Sequence, residues 1–174
     1  TGLAGNDTVD GSGGIDNIVF SDTNGTDTIA FVRDEDLLDF TSVTAAGTLA
    51  KVAVDNEGNA TDESFTVDGT NTTVYVISTD ANDIDEGDAS SDEIADLESM
   101  ANVATFLIPV TASNTANEVH YFIINDGSDT DAAYVYKFTD GGDNTVIDAD
   151  ELELIGIVNS SVAGAVDIND VTVA

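Results

Sequence analysis

The feature that most constrains this chain is a Gly/Asp phrase repeated near its beginning: Gly5-Asn6-Asp7-Thr8-Val9, Gly14-Ile15-Asp16-Asn17-Ile18 and Gly25-Thr26-Asp27-Thr28-Ile29. Asp7 and Asp16 are nine residues apart, Val9 and Ile18 keep that step, and Gly2, Gly5, Gly11 and Gly14 fall at matching places in the frame. A frame this short has room for a tight turn and a strand of about two or three residues, so that two repeats make one coil of a parallel β-roll. Glycine at the turn permits φ > 0. The apolar residue (Val9, Ile18, Ile29) points inward and stacks on its equivalents. The aspartate adds a carboxylate to the converging carbonyls, and oxygen-rich shells of that kind suit Ca²⁺. The plainer alternative is a set of Asn/Asp/Gly hairpin turns in a Thr-rich β protein.

At these residues the sequence resembles the RTX family of calcium-binding, type I-secreted bacterial proteins, whose phrase is Gly-Gly-x-Gly-x-Asp-x-apolar-x. Leu3 and Ser12 replace the second glycine, and the third repeat follows the second by eleven residues because Phe20 to Asn24 lengthen the connection. The resemblance implies calcium between turns on the same side of the roll. Repeat one is then expected to pair with repeat three, giving one metal site from Gly5, Asp7, Gly25 and Asp27. Gly14 and Asp16 would be half of a second site whose partner repeat the chain is expected to lack. Asp36-Leu37-Leu38-Asp39-Phe40 is expected to close the roll, and the roll itself reads as the last coils of something longer.

Charge narrows the function classes. There are 35 acidic residues against 3 basic ones, a net charge of −32. Self-repulsion at that level destabilises a compact state unless cations offset it. Nucleic acid and anionic membranes both require a basic surface and are excluded as partners. No apolar run is long enough for a transmembrane helix, so direct membrane insertion is not expected. The excess of Asp over Glu favours turns and calcium loops, which use the shorter side chain. With 41% hydrophobic residues the chain can nevertheless bury a core. It has no cysteine, no Gly-x-Ser-x-Gly elbow, no phosphate loop and a single histidine, His120, which reads as a packed residue. An enzyme is therefore not expected.

The expected fold class is mainly β: a short calcium-binding parallel β-roll over residues 1–41, then an antiparallel β-sandwich-like domain over 42–174 with one or two short helices. Period-two alternation marks strands at Thr48–Val54, Ser64–Val67 and Thr73–Ile77, and the apolar runs Thr105–Val110 and Glu118–Ile124 read as further strands, with Ala132–Phe138 as a hairpin partner for the last. Ser91 as N-cap and the Ile94, Leu97, Met100 spacing predict a short helix over Glu93–Ala101. The acidic run from Asp80 to Asp92 is a second calcium loop or a solvated loop.

A further loop, Asp140 to Glu151, has the length and part of the logic of an EF-hand. Asp140 stands at position one, Asn144 at five, Asp148 at nine and Glu151 at twelve. Gly142 and Thr145 break the pattern at positions three and six, although Asp143 lies beside the gap. The alternative is a capping box, with Asp148 as N-cap and Glu151 three residues on, ahead of a strand at Leu152–Val158. The stretch from Tyr121 to Leu152 is similar to the terminal domains of RTX-type and S-layer-like surface proteins. The acidic then apolar end, Val166 to Ala174, is similar to type I export signals or is simply a last strand. Together these resemblances imply an extracellular, calcium-loaded structural module of a bacterial surface layer, filament or adhesin. Its expected partners are copies of itself or neighbouring surface subunits, with a cell-surface glycan as a further candidate. The alternative is a carbohydrate- or ligand-binding or secretion domain of a larger secreted enzyme, with Tyr75, Tyr121, Tyr134 and Tyr136 as an exposed platform.

Overall fold

The repeated phrase does form coils. In a computed structural model, which describes residues 5–21, 25–56, 65–67, 69–79, 97–107, 110–113, 115–126, 132–142, 144–160 and 166–173, each phrase is a turn leading into a short strand. The strands are β1 (Thr8–Asp10), β2 (Asn17–Val19), β3 (Asp27–Phe31) and β4 (Leu37–Asp39). β1 pairs in parallel with β3, Thr8 opposite Thr28, and β2 pairs in parallel with β4, Asn17 opposite Leu37. Successive strands thus alternate between two sheets, and each repeat lies on the one two places later. The second repeat, expected to have no partner, has one in residues 34–38. Asp34 takes the turn with φ 66°, where Gly14 has φ 113°. An aspartate tolerates the left-handed region better than most side chains, so a fourth repeat exists without its glycine. Leu38 and Phe40, in the segment expected to close the roll, are fully buried.

A third coil comes from the far end of the chain. β9 (Leu152–Ser160) pairs in parallel with β3, Thr28 opposite Ile157, and β10 (Val171–Thr172) pairs in parallel with β4, Leu38 opposite Val171. A single 3-10 turn, Ile168–Asp170, leads into β10.

β9 then continues the first sheet away from the roll. With β5 (Ala50–Asn56), β6 (Thr73–Thr79), β7 (Val119–Asn125) and β8 (Ala132–Thr139), the order is β1-β3-β9-β8-β7-β6-β5. β7, β8 and β9 are antiparallel neighbours, as the hairpin pattern predicts. β5, β6 and β7 are parallel, where antiparallel strands were expected. Parallel neighbours need a crossover connection, and the helix α1 (Met100–Phe106) lies between β6 and β7. That helix takes Thr105 and Phe106 of the strand expected at Thr105–Val110; Leu107 and Val110 are in no strand, and residues 108–109 lie outside the described residues. Val103 and Leu107, four residues apart, are 0% and 1% exposed, a helical and not an alternating burial pattern. The segment expected to be helical, Glu93–Ala101, is helical only from Met100; residues 93–96 and the proposed cap Ser91 lie outside the described residues, as does the run Asp80–Asp92. The strand expected at Ser64–Val67 contributes one bridge, Thr66 to Thr111.

The long sheet is covered on both faces, which is why the middle of β7, Tyr121–Ile124, is an unbroken buried apolar run. Val74, Val76, Tyr121, Ile123, Val135 and Val158 face the second sheet, packing with Phe20, Leu38, Phe40 and Val171. Tyr75, Ile77, Phe122, Ile124 and Phe138 face the other way, toward Val103 and Leu107 of α1 and toward Ile147. The fold is mainly β, built around one large mixed sheet.

Candidate metal centre

In the roll the aspartate of one coil reaches the backbone of its neighbour. Asp27 Oδ1 accepts a hydrogen bond from the Asp7 N–H at 3.0 Å, and Asp36 Oδ1 accepts from the Asp16 N–H at 2.9 Å, both across 20 residues of chain. Asp36 Oδ2 also accepts from the Val32 N–H at 2.8 Å. The third coil repeats the device: Asp170 accepts from the Asp34 N–H at 3.1 Å and from the Asp167 N–H at 2.8 Å. Asp27, Asp36 and Asp170 are 5%, 1% and 2% exposed. Burial, with the neighbouring charge of Asp7, pushes the Asp27 carboxyl above its ordinary range against the pull of the Asp7 N–H. Burial likewise raises Asp170, aided by the charges of Asp34 and Asp167 and opposed by their two N–H groups. Burial pushes Asp39 upward too, yet hydrogen bonds from Thr41 and Asn17 outweigh it and hold that carboxyl below the usual range.

The expected first site is assembled in part. Asp7 and Asp27 lie on stacked turns, and Gly25 packs directly on Gly5: a Cβ on Gly25 would lie 2.6 Å from the Gly5 carbonyl oxygen and from Asn6 Oδ1. Only glycine lets the two turns approach so closely. Gly14 and Asp16 of the second candidate pair lie over Asp34 and Asp36. Asp36 and Asp170 were not singled out as partners of the phrase. The signal for Asp36 was present, since it follows Asp16 by the same step that separates Asp27 from Asp7. Asp170 had no such signal, because its partner turn is 136 residues away.

The Asp140–Glu151 loop is tied to itself and to the chain just before β7. Asp140, 2% exposed, accepts from the Gly142 N–H at 2.6 Å, the Ser113 hydroxyl at 3.2 Å and the Thr115 N–H at 3.3 Å. Ser113 also bonds Glu118, a buried acid 3.5 Å from the His120 ring. His120 is fully buried and accepts from the Thr73 N–H, in keeping with a packed residue. Glu151 accepts from the Gly141 N–H at 2.6 Å and the Asp148 N–H at 2.9 Å, while Asn144 donates to Asp148 at 2.8 Å. Asp148 and Glu151 thus form the capping box around the 3-10 turn Ala149–Glu151. Asp143 lies outside the described residues.

Among the described residues no group of three or more His, Cys, Asp or Glu side chains is gathered in a ready-made metal cage. A roll site would draw on turn carbonyls as well as on carboxylates, and Ca²⁺ accepts both. Beside the first pair of turns a groove of about 590 Å³ is lined by Asp7, Thr8, Thr28, Met100 and Ile157, among others, with no aromatic side chain in its walls. Tyr75, Tyr121 and Tyr136 are 3%, 0% and 0% exposed, so they form no surface platform. No protein-family profile, curated protein or solved structure matches this chain.

Proposed function

We propose that this protein is a non-enzymatic, calcium-stabilised structural module that works outside the cell, as part of a bacterial surface layer, filament or adhesin. The observation that carries the reading is the stacking of acidic turns, Asp7 on Asp27 and Asp16 on Asp36, in a chain of net charge −32. Each stack brings carboxylates and turn carbonyls together at a cost in repulsion and desolvation, which a bound divalent cation offsets. Where calcium is scarce the turns repel and the chain stays loose. At the millimolar calcium of extracellular space, binding energy becomes folding energy. Calcium is bound at the roll turns, with the Asp140–Glu151 loop as a second candidate.

Thermal unfolding tests the reading, in chelator, in millimolar Ca²⁺ and in Mg²⁺ and Na⁺ at matched ionic strength. A large stabilisation specific to Ca²⁺ is expected, and equal melting in chelator and calcium sinks the proposal. Asp27→Asn sharpens it, because an amide oxygen can still accept from the Asp7 N–H while the charge is lost. The variant should melt at or above wild type in chelator, since a buried charge is removed, and gain less from calcium.

A further inference from the structure

The seven-stranded sheet ends in two strands with no partner on their outer side among the described residues, β1 and β5. Their directions follow from the pairings. β1, β3 and β9 run together, β8 runs against them, and β7, β6 and β5 run with them again. The two edges therefore point the same way, as at the two ends of a repeat unit. A second copy displaced across the sheet can set its β1 beside β5 of the first, in the parallel sense already used by β1 with β3 and by β5 with β6.

Charge separates this contact from the two symmetric ones. Pairing β1 with its own copy brings Asp7 and Asp10 near a second pair of aspartates, and pairing β5 with itself gives Lys51 no aspartate of β1 to meet. Pairing β5 with β1 sets Lys51 near Asp7. The faces agree: Lys51 stands opposite Val74 and Val9 opposite Ile29, both on the face toward the second sheet, and Asp7 is two residues from Val9. Lys51 Nζ donates to the Ile168 and Val171 carbonyls and has a third proton left. The Asp7 carboxylate accepts no hydrogen bond from a described residue, unlike Asp27, which occupies the same place one coil further in, so one of its two oxygens can meet Lys51 while the other is left for calcium.

We propose that copies of this protein join head to tail, β5 of one to β1 of the next, extending the long sheet from molecule to molecule. The contact rests on the structural-module reading above, since the net charge must be neutralised before copies approach.

Two proline substitutions test it without touching the inward hydrogen bonds. In β1 the Asp7 carbonyl and the Gly11 N–H bond to β3, so the Thr8 N–H points outward. In β5 the Ala50 N–H bonds to Thr72, so the Ala53 N–H points outward. Thr8→Pro blocks one edge and Ala53→Pro the other. In millimolar Ca²⁺, sedimentation should show oligomers of wild type, monomers of each variant alone, and dimers that grow no further in an equal mixture. The mixture remaining monomeric overturns the head-to-tail contact, as does a dimer of either variant alone, which marks a symmetric contact at its unblocked edge. Wild type that stays monomeric although calcium stabilises it overturns self-assembly altogether. A melting temperature indifferent to calcium instead defeats the calcium reading. Each variant's own calcium-dependent melting shows whether it is folded, and a variant that fails to fold is replaced by Thr8 or Ala53 N-methylated at the backbone by semisynthesis.

Discussion

The roll turns and the Asp140–Glu151 loop are both Gly/Asp-rich, yet they use their carboxylates differently. In the roll, Asp27, Asp36 and Asp170 each bond the backbone of another coil, across 20, 20 and 136 residues. In the loop, Asn144 bonds a group 4 residues away and Glu151 groups 3 and 10 away, while Asp140 bonds Gly142 at 2 and is the one that also reaches back, to Ser113 at 27 and Thr115 at 25. A short-range bond costs little chain entropy and holds its loop whatever the rest of the molecule does. A long-range bond forms only when the coils are already stacked. The roll is thus a cooperative structure whose turns exist because of one another, while the Asn144–Glu151 part of the loop is held locally.

The largest test of this contrast is Phe40→Ala. Phe40 is fully buried, stacks on Phe20 with centroids 4.7 Å apart, and lies 5.2 Å from the Tyr121 ring. Its truncation should cost about 3–5 kcal/mol by chemical denaturation, with loss of amide protection in β1–β4 and β10. If the Asp140–Glu151 amides lose protection at the same denaturant concentration, the two regions are not separable.

Asp36→Ala comes next. It leaves the Asp16 and Val32 N–H groups without their acceptor inside the stack, at about 2–3 kcal/mol. Glu151→Ala removes a partly exposed capping contact and should cost only about 0.5–1 kcal/mol. Equal costs for these two substitutions would erase the distinction between long-range and local carboxylates.

The smallest effect is on pH. Asp27 and Asp170 have raised folded-state values, so the stability they contribute is present below the ordinary carboxylate value of 3.8 and lost as pH rises through their folded values. In chelator, lowering pH from 7 toward the carboxylate range should therefore raise the melting temperature. Asp27→Asn should reduce that rise, and a rise unchanged in both Asp27→Asn and Asp170→Asn would show that these two buried charges are not its source.

Much of the roll could be read directly from the sequence. The phrase carries its own turn residues and one apolar position, so Ile18 and Ile29 were legible as core. The hairpin of β7 and β8 was legible too, because two strand-forming apolar runs flank a stretch of turn formers. The helix at Met100–Phe106 was not, since Thr105-Phe106-Leu107-Ile108 is a short apolar run of strand-forming residues in the sequence and only packing against the sheet favours the helical pattern. The candidate loop could be read as an EF-hand or as a capping box until its hydrogen bonds distinguished Asp148 and Glu151 as a box.

What the sequence determined by itself was local: where the chain turns, which residues are apolar on a two-residue or nine-residue period, and that the acids far outnumber anything that could pair with them. Only the tertiary structure decided which strands are neighbours. β9 on β3 and β10 on β4 complete the roll with residues from the other end of the chain, and Arg33 and Lys51, two of the three basic residues, reach that segment at Asp167 and at the carbonyls of Ile168 and Val171. No periodicity encodes such a choice. Strands with the same alternation are interchangeable until shape, buried hydrogen bonds and a few scarce cations select one pairing over the rest.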